Sequence, residues 1–381
     1  MPGPLNGVRI VDLSQVISGP LATAWLGDQG ADVIKVEDPK AGDLARWLGP
    51  GKNDIGAMFL TANRGKRSIV LDLKSSQDDR DTLWRLIEWA DVLVENFRPE
   101  ALARLGYSSS AARARNPRLI YCAITGFGPD GPLAKGRVYD PIIQAASGVC
   151  ASQADPLTGE PRLVQTLICD KTTALVAAQA ITAALYAREK SDVGQHIDLA
   201  MLDASLAFLW PEGMYNETFI TDPPARQPDF GSFYRLWRSK DGWFAIAGVQ
   251  DVEFQAMCRA LGRPDLASDE RFATIAGRMQ NAAAFRDELE ASIASQDSAP
   301  LLQRMLEEDA PAGRVNQRSD LVNDPQVRAN QTIIEIDHGA EGQVRQARHP
   351  ARFSHSPCDP PKPAPHLNEH GATIRAALKG E

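Results

Sequence analysis

An α/β fold built on a doubly wound parallel sheet, followed by a smaller α+β domain, is predicted by three features of this 381-residue sequence. Short runs rich in Val, Ile and Leu alternate with helical stretches over residues 1–215. Strands separated by helices are joined by crossovers, so they lie parallel and are covered on both faces. The texture then changes at a Pro-rich polar stretch, 219–231, which reads as linker. The length also exceeds what one core usually organises, which favours two domains.

Residues 8–13 (VRIVDL) read as a buried strand, 21–29 (LATAWLGDQ) as a short helix and 32–37 (DVIKVE) as the next strand. Residues 67–73 (RSIVLDL) are strand-like, 76–90 form a helix with an apolar face, and 91–95 (DVLVE) form a strand. A helix over 99–105 and a strand over 118–124 (RLIYCAI) follow. A long Ala-rich helix covers 171–190, a strand 195–201 (QHIDLAM), and another helix begins near Leu202. The large domain spans 1–215 and is completed by about 325–381, with 216–231 as linker and 232–324 as the small domain. There, strand-like runs at 232–238 and 242–249 flank the turn Ser239-Lys240-Asp241-Gly242, and helices continue to about 308. Residues 355–366 (HSPCDPPKPAPH) are extended, and 367–379 is the last helix.

Composition removes several classes of function. The net charge of −8 disfavours nucleic acid as the main partner. No apolar run reaches the roughly 18–20 residues that span a bilayer, so no membrane partner is expected. The start, MPGPLNGVRIVDL, has no basic region followed by an apolar core, so it does not read as a secretory leader. Five cysteines, none spaced as CxxC, suit a reducing cytosol rather than a disulfide framework or a zinc site. No histidine precedes His196, so the N-terminal half supplies neither a histidine base nor a histidine metal ligand.

The first strand–turn–helix–strand unit invites a dinucleotide reading, with Glu37 and Asp38 where a ribose-binding acid would sit. Its turn, SQVISGP, lacks the GxGxxG that lets backbone approach a pyrophosphate, and keeps only Gly19. The plain reading of Glu37 and Asp38 is that of loop-start residues. Asp170 directly precedes the long Ala-rich helix, the place of an N-cap. A carboxylate there is also anchored and kept ionised by the helix terminus, as a carboxylate nucleophile requires. The two roles are compatible. Tyr139 and Asp140 follow a loop carrying Lys135 and Arg137, which suits either an anionic substrate or a solvated helix entry. Asn96, Phe97 and Arg98 end a predicted strand, a ligand position by topology or a turn.

Seven segments in order resemble the class III CoA-transferases, the formyl-CoA and carnitine CoA-transferase family. They are LNGVRIVDLSQVISGP, GADVIKVEDPKAGD, NRGKRSIVLDLK, ADVLVENFRPEALARLGY, NPRLIYCAITGFGPDGP, YDPIIQAASG and the block from Asp170 to AREKSDVGQHIDLAMLDA. The resemblance implies a Rossmann-like large domain made from both chain ends, a smaller domain between, and an interlocked homodimer. It makes Asp170 the catalytic residue, forming an aspartyl anhydride and then an aspartyl-CoA thioester. Coenzyme A or acyl-CoA is then a substrate, a carboxylic acid is the second substrate, and no cofactor is held tightly. Val16, Leu71, Lys74, Asn96, Phe97, Arg98 and Arg104 match positions along the CoA site. Lys135 and Arg137 match the loop over its pantetheine end, and Ile17, Tyr139 and Asp140 match positions near the substrate.

Some positions depart from formyl-CoA transferase. Ile17 replaces a glutamine, Asp38 replaces an arginine, and no run of glycines surrounds Gly231, so formate and oxalate are not expected as substrates. The C-terminal HLNEHG stands where LGEHT is commoner. The related α-methylacyl-CoA racemases need a histidine base where this chain has Val138-Tyr139-Asp140, and a tyrosine of reference pKa about 10 serves poorly. A CoA-binding protein without activity is the remaining alternative, against which the presence of Asp170 argues.

Overall fold

The computed structural model describes residues 3–155, 158–248 and 250–380, so Val249 at the end of one predicted strand lies outside it. The strands of the main sheet are β1 (Arg9–Asp12), β2 (Asp32–Glu37), β3 (Arg67–Val70), β4 (Val92–Glu95), β5 (Ile120–Thr125) and β6 (His196–Ala200). All pair in parallel, in the order β3-β2-β1-β4-β5-β6. This is the doubly wound order of dinucleotide-binding folds, and its direction reverses between β1 and β4. In folds of this order ligands sit in a crevice at that point, beyond the strand C-termini.

The helices that shape this unit are α1 (Ser18–Asp28), α2 (Gln77–Trp89), α3 (Asp140–Ala146), α4 (Ile168–Ser191), α5 (Met201–Gly213) and α6 (Gly371–Lys379). Ile10, Val94, Cys122 and Ile124 on one sheet face pack with Ala22 and Leu26 of α1 and Ala174, Ala177 and Ile181 of α4. Val11, Leu93 and Tyr121 on the other face pack with Leu83, Leu86 and Ile87 of α2 and with Ile374 of α6. Burial on both faces is why the strands read as unbroken apolar runs. The α2 start follows from Ser76, whose hydroxyl accepts the Asp79 N–H at 3.2 Å.

Several boundaries differ from the sequence expectation. β3 stops at Val70 because the Asp72 carboxylate accepts the N–H groups of Lys74 and Ser75 and turns the chain. The predicted 99–105 helix is the single turn Ala101–Arg104, and a Ser108-capped helix at Ser109–Arg115 follows it. The long helix starts at Ile168, so Asp170 lies inside its first turn rather than at the cap.

The sheet edge at β3 is closed by the C-terminal segment. Val70 donates to the Asn368 side chain at 2.9 Å, Ser68 donates to His370 Nδ1 at 3.3 Å, and the His370 N–H returns to the Ser68 carbonyl at 3.0 Å. His366 Nδ1 lies 2.7 Å from Asp54, which also accepts the Leu367 N–H. Covering an edge strand removes a template for unwanted pairing. The departure at HLNEHG now has a physical account. Asn368 has φ +59°, a conformation that glycine, then asparagine, tolerates best. Its side chain occupies the space of a Cβ at Gly371, so asparagine at one position requires glycine at the other.

The chain separates into two units, one of Met1–Ala225 with Ala329–Glu381, the other of Arg226–Arg328. The second holds an antiparallel sheet of β7 (Leu236–Arg238), β8 (Trp243–Ile246) and β9 (Ala312–Arg314), with β8 central. Trp237 and Phe244 turn inward onto a helical core that includes Phe254, Phe272, Leu289 and Met305. The first unit also carries an antiparallel ribbon, β10 (Ile333–Asp337) with β11 (Gln343–Ala347). Neither β9 nor this ribbon is among the elements read from the sequence: Ala312–Arg314 is only three residues long, and both ribbon strands are partly exposed.

Candidate active site

The switch-point loop between β1 and α1 is built tightly. A Cβ on Gly19 would collide with the Ser14 side chain, so the lone glycine of SQVISGP is what lets the loop fold back on the helix start. Val16 sits in this loop at φ +68°, a left-handed conformation rare for a β-branched residue. Its N–H is accepted by Asp43 at 2.9 Å. Ile17 follows, buried, immediately before α1.

Asn96 stands across the crevice, just after β4. Its side-chain oxygen accepts the Gln15 N–H at 2.8 Å, and its side-chain nitrogen donates to the Gln15 carbonyl at 2.8 Å. The amide thus clasps the β1–α1 loop. Phe97 is half buried against the core beneath α2, and its N–H is accepted by Glu95. Burial pushes the Glu95 carboxyl up to about 7, helped by Asp198 and opposed by the Phe97 N–H.

Asp170 is half buried in the first turn of α4. Its N–H donates to the Asp140 carboxylate at 3.0 Å. Burial first, then the neighbouring Asp140 charge, push the Asp170 carboxyl up to about 7, against hydrogen bonds from Ser18. The helix terminus therefore does not hold this acid fully ionised, as its sequence position suggested, because desolvation and a like charge outweigh the dipole. Cys169 beside it is buried, and burial raises its thiol pKa further, so it is not an activated thiolate.

Asp140 is 1% exposed, and its carboxylate also accepts the Gln144 side chain at 2.5 Å. It faces Asp170 and the protein interior rather than the open crevice, which departs from the substrate contact the resemblance implied. Tyr139, one residue earlier, is 64% exposed, and Lys135 and Arg137 are exposed on the same loop. Arg98 is exposed, and Arg104 lies 3.8 Å from Glu100 on the single-turn helix. Lys74 is exposed past the edge strand β3. Leu71 is 3% exposed and packed in the core, so its side chain does not reach a ligand. The β1–α1 loop thus connects these residues: Val16 and Ile17 belong to it, Asn96 clasps it at Gln15, and Ser18 beyond it hydrogen-bonds Asp170, which Asp140 seats. Among the hydrogen bonds and ion pairs of the described residues, none joins Arg98, Arg104, Lys74, Lys135 or Arg137 to Asp170.

Beneath the β1–α1 loop lies a buried charge network. Asp12 meets Lys66 at 2.8 Å and the Thr23 hydroxyl at 2.8 Å, and Lys35 meets Asp43 at 2.9 Å. Glu37 accepts Arg46 through two bonds of 2.8 and 2.7 Å, the Ser68 hydroxyl at 2.7 Å and the Asp43 N–H at 3.0 Å. Glu37 is therefore a saturated internal ion pair, not a loop-start residue; Asp38 is exposed and caps the next turn through the Lys40 N–H. Burial opposes ionisation of Asp12, but the two lysines and their hydrogen bonds win and hold it below the usual carboxylate range. Sequence reasoning missed Ser18, Lys35, Asp43, Lys66 and Glu95. The signal for Lys35 was a lone charge inside the apolar run DVIKVE.

A doubly wound sheet with its switch point, and a half-buried carboxylate in the first turn of a helix packed on that sheet, are the parts of an α/β enzyme site that can use an acid as its reacting group. The chain belongs to CoA-transferase family III, whose model matches residues 5–371, and it is a class III CoA-transferase. It is 36% identical over 387 residues to a succinate–glutarate CoA-transferase of Agrobacterium fabrum, covering 99% of this chain and 96% of that one. It is 36% identical over 377 residues to an acetyl-CoA:oxalate CoA-transferase of Acetobacter aceti, covering 98% and 95%. The crystal structure of a CAIB/BAIF family protein from Brucella suis matches with a TM-score of 0.86 at 36% identity, covering 99% and 100%.

Proposed function

We propose that this protein moves coenzyme A from an acyl-CoA to a free carboxylic acid through covalent intermediates on Asp170. The observation that carries the reading is the seat of that carboxylate, half buried between Asp140 and the Ser18 end of the switch-point loop. Ionised Asp170 attacks the thioester carbonyl, and the C–S bond breaks to give a mixed aspartyl anhydride and CoA thiolate. The thiolate attacks the aspartyl carbonyl, expels the donor carboxylate and leaves an aspartyl-CoA thioester. The acceptor carboxylate attacks that thioester to form a new anhydride, and the released thiolate takes the acceptor acyl group. Asp170 is regenerated, and no proton is gained or lost overall. A carboxylate is a weak nucleophile, so desolvation and positioning must supply much of the rate.

The acceptor class we infer is a dicarboxylic acid, since relatives are named for succinate, glutarate and oxalate. Val16, Asn96, Phe97, Arg98 and Arg104 line the way for CoA in this reading, and Lys135 and Arg137 offer cations to anionic groups of either substrate. Asp140 acts on Asp170 rather than on substrate. We infer a homodimer as the working form, consistent with Leu175, Tyr186, Phe208 and Trp210 exposed on α4 and α5. Five free cysteines fit a reducing cytosol.

The test is exchange. Protein incubated with labelled succinyl-CoA and free glutarate should yield labelled CoA on the second acid. Washout of α-deuterium without exchange would assign a racemase instead, and CoA binding with neither reaction would leave only a binding protein.

A further inference from the structure

We propose that Asp43 is a positioning residue for coenzyme A binding, its buried carboxylate holding Val16 in the left-handed conformation that shapes the β1–α1 loop. The inference rests on the reading that this crevice takes acyl-CoA. Each residue at the front of the loop is held by a different side chain. The Lys35 ammonium donates to the Ser14 carbonyl, Asn96 brackets Gln15 with two hydrogen bonds, and Asp43 accepts the Val16 N–H at 2.9 Å. Ser18, two residues on, hydrogen-bonds Asp170. The loop thus runs from the charge network to the reacting carboxylate with little freedom between.

Asp43 is placed for this task from several sides. Oδ1 accepts both the Val16 and the Ala45 N–H at 2.9 Å, so the same oxygen caps the turn Leu44–Trp47. Oδ2 meets Lys35 at 2.9 Å, and the Asp43 N–H donates to Glu37, which Arg46 grips through two bonds. The residue is 1% exposed and touches no open part of the crevice. Val16 at φ +68° is a conformation that a β-branched residue keeps only when its surroundings impose it. The carboxylate of Asp43 is the group that imposes it. An amide at 43 could keep its oxygen on the Val16 and Ala45 N–H groups and lose only Lys35, whereas alanine would leave all three without this acceptor.

The experiment reads CoA affinity by calorimetry alongside acyl-CoA KM and kcat. Asp43→Ala, which removes the oxygen that Val16 and Ala45 share, is expected to weaken CoA binding and raise KM about tenfold or more with a smaller fall in kcat. Val16→Gly alone supplies the reference affinity for a loop whose residue 16 adopts this φ without a steric penalty. Placed on Asp43→Ala, Val16→Gly should bring CoA affinity back close to that reference, a rescue that a merely structural role for Asp43 does not predict. Wild-type CoA affinity in Asp43→Ala, or no recovery in the double variant while it melts like its parent, would overturn the proposal. Should Asp43→Ala not fold, Val16→Pro serves, because proline has no N–H and fixes φ near −65°. It should lose about tenfold or more in CoA affinity while still melting cooperatively, and wild-type affinity there would also overturn the idea. A wild-type enzyme that binds CoA but transfers none would sink the transferase reading and leave the positioning role standing.

Discussion

The main-chain N–H of Asp170 donates to the carboxylate of Asp140 at 3.0 Å, so one buried acid seats another at the start of α4. The contact has two opposed effects. It fixes where Asp170 points, and its charge makes Asp170 harder to ionise.

Replacing Asp140 should separate those effects. Only ionised Asp170 attacks, so wild-type kcat/KM is expected to rise with pH through about 7. Asp140→Asn keeps an oxygen for the Asp170 N–H and removes the like charge. The midpoint should move toward acid, raising activity at pH 6 relative to pH 8 by about two- to threefold. A pH–rate profile with an unmoved acid limb would rule out this electrostatic link.

Asp170→Asn should abolish transfer, with a loss of about a thousandfold or more, because no neighbouring group replaces a missing nucleophile. Its stability should change the other way. The carboxyl is raised from 3.8 to about 7 on folding, so the folded protein binds the extra proton within that window. Stability contributed by the protonated form is present at low pH and is lost as pH rises through 7. The variant should melt above wild type at pH 8 and alongside it at pH 4. Hydroxylamine trapping after acyl-CoA addition should mark Asp170 in wild type and nothing in the variant. A label on Cys169 would move the nucleophile.

Arg104 is exposed and pairs only loosely with Glu100, 3.8 Å away, so it is free to meet a phosphate. Arg104→Ala should raise acyl-CoA KM severalfold and leave kcat nearly unchanged, as loss of uniform binding does. Steady-state kinetics over several acyl-CoAs would check this, and an unchanged KM for all of them refutes the assignment.

The pairing of Asn368 with Gly371 predicts a coupled effect on stability. Gly371→Ala brings a Cβ into the Asn368 side chain and should cost about 1–3 kcal/mol. Asn368→Gly removes the obstacle but also the bond to Val70, at about 1 kcal/mol. The double variant should therefore be more stable than Gly371→Ala alone. Denaturant melts that show simple additivity would contradict the contact.

The proposed homodimer should survive dilution. Sedimentation is expected to show dimer at nanomolar concentration, and Phe208→Glu or Leu175→Glu should disturb it. A folded, active monomer would remove the assembly proposal.

The sheet was legible because parallel strands are buried on both faces, and Ile10, Val94 and Ile120 sit in unbroken apolar runs. The site's position was legible through topology, which puts Asn96 and the SQVISGP turn at strand ends. Asp170 was singled out by its helix start, yet its raised pKa was not foreseen. That depends on Asp140, thirty residues earlier in sequence, being folded against it. The charge network was hidden for the same reason. Asp43 and Lys66 look like surface residues until the fold brings them to Lys35 and Glu37. β9 is too short to carry a pattern, and the alternation Ile334-Glu335-Ile336-Asp337 in β10 is a strand signal that sequence reasoning missed.

Closure of the β3 edge by residues 366–371 also sets the order of events during synthesis. Val70 and its partner Asn368 are 298 residues apart. At roughly 5–20 residues per second, the ribosome needs about 15–60 s between making one and making the other. Throughout that interval the nascent sheet presents an open strand, and a holding chaperone that shields it would compete with neighbouring chains on the same polysome. Synthesis of residues 366–371 is what ends this exposure.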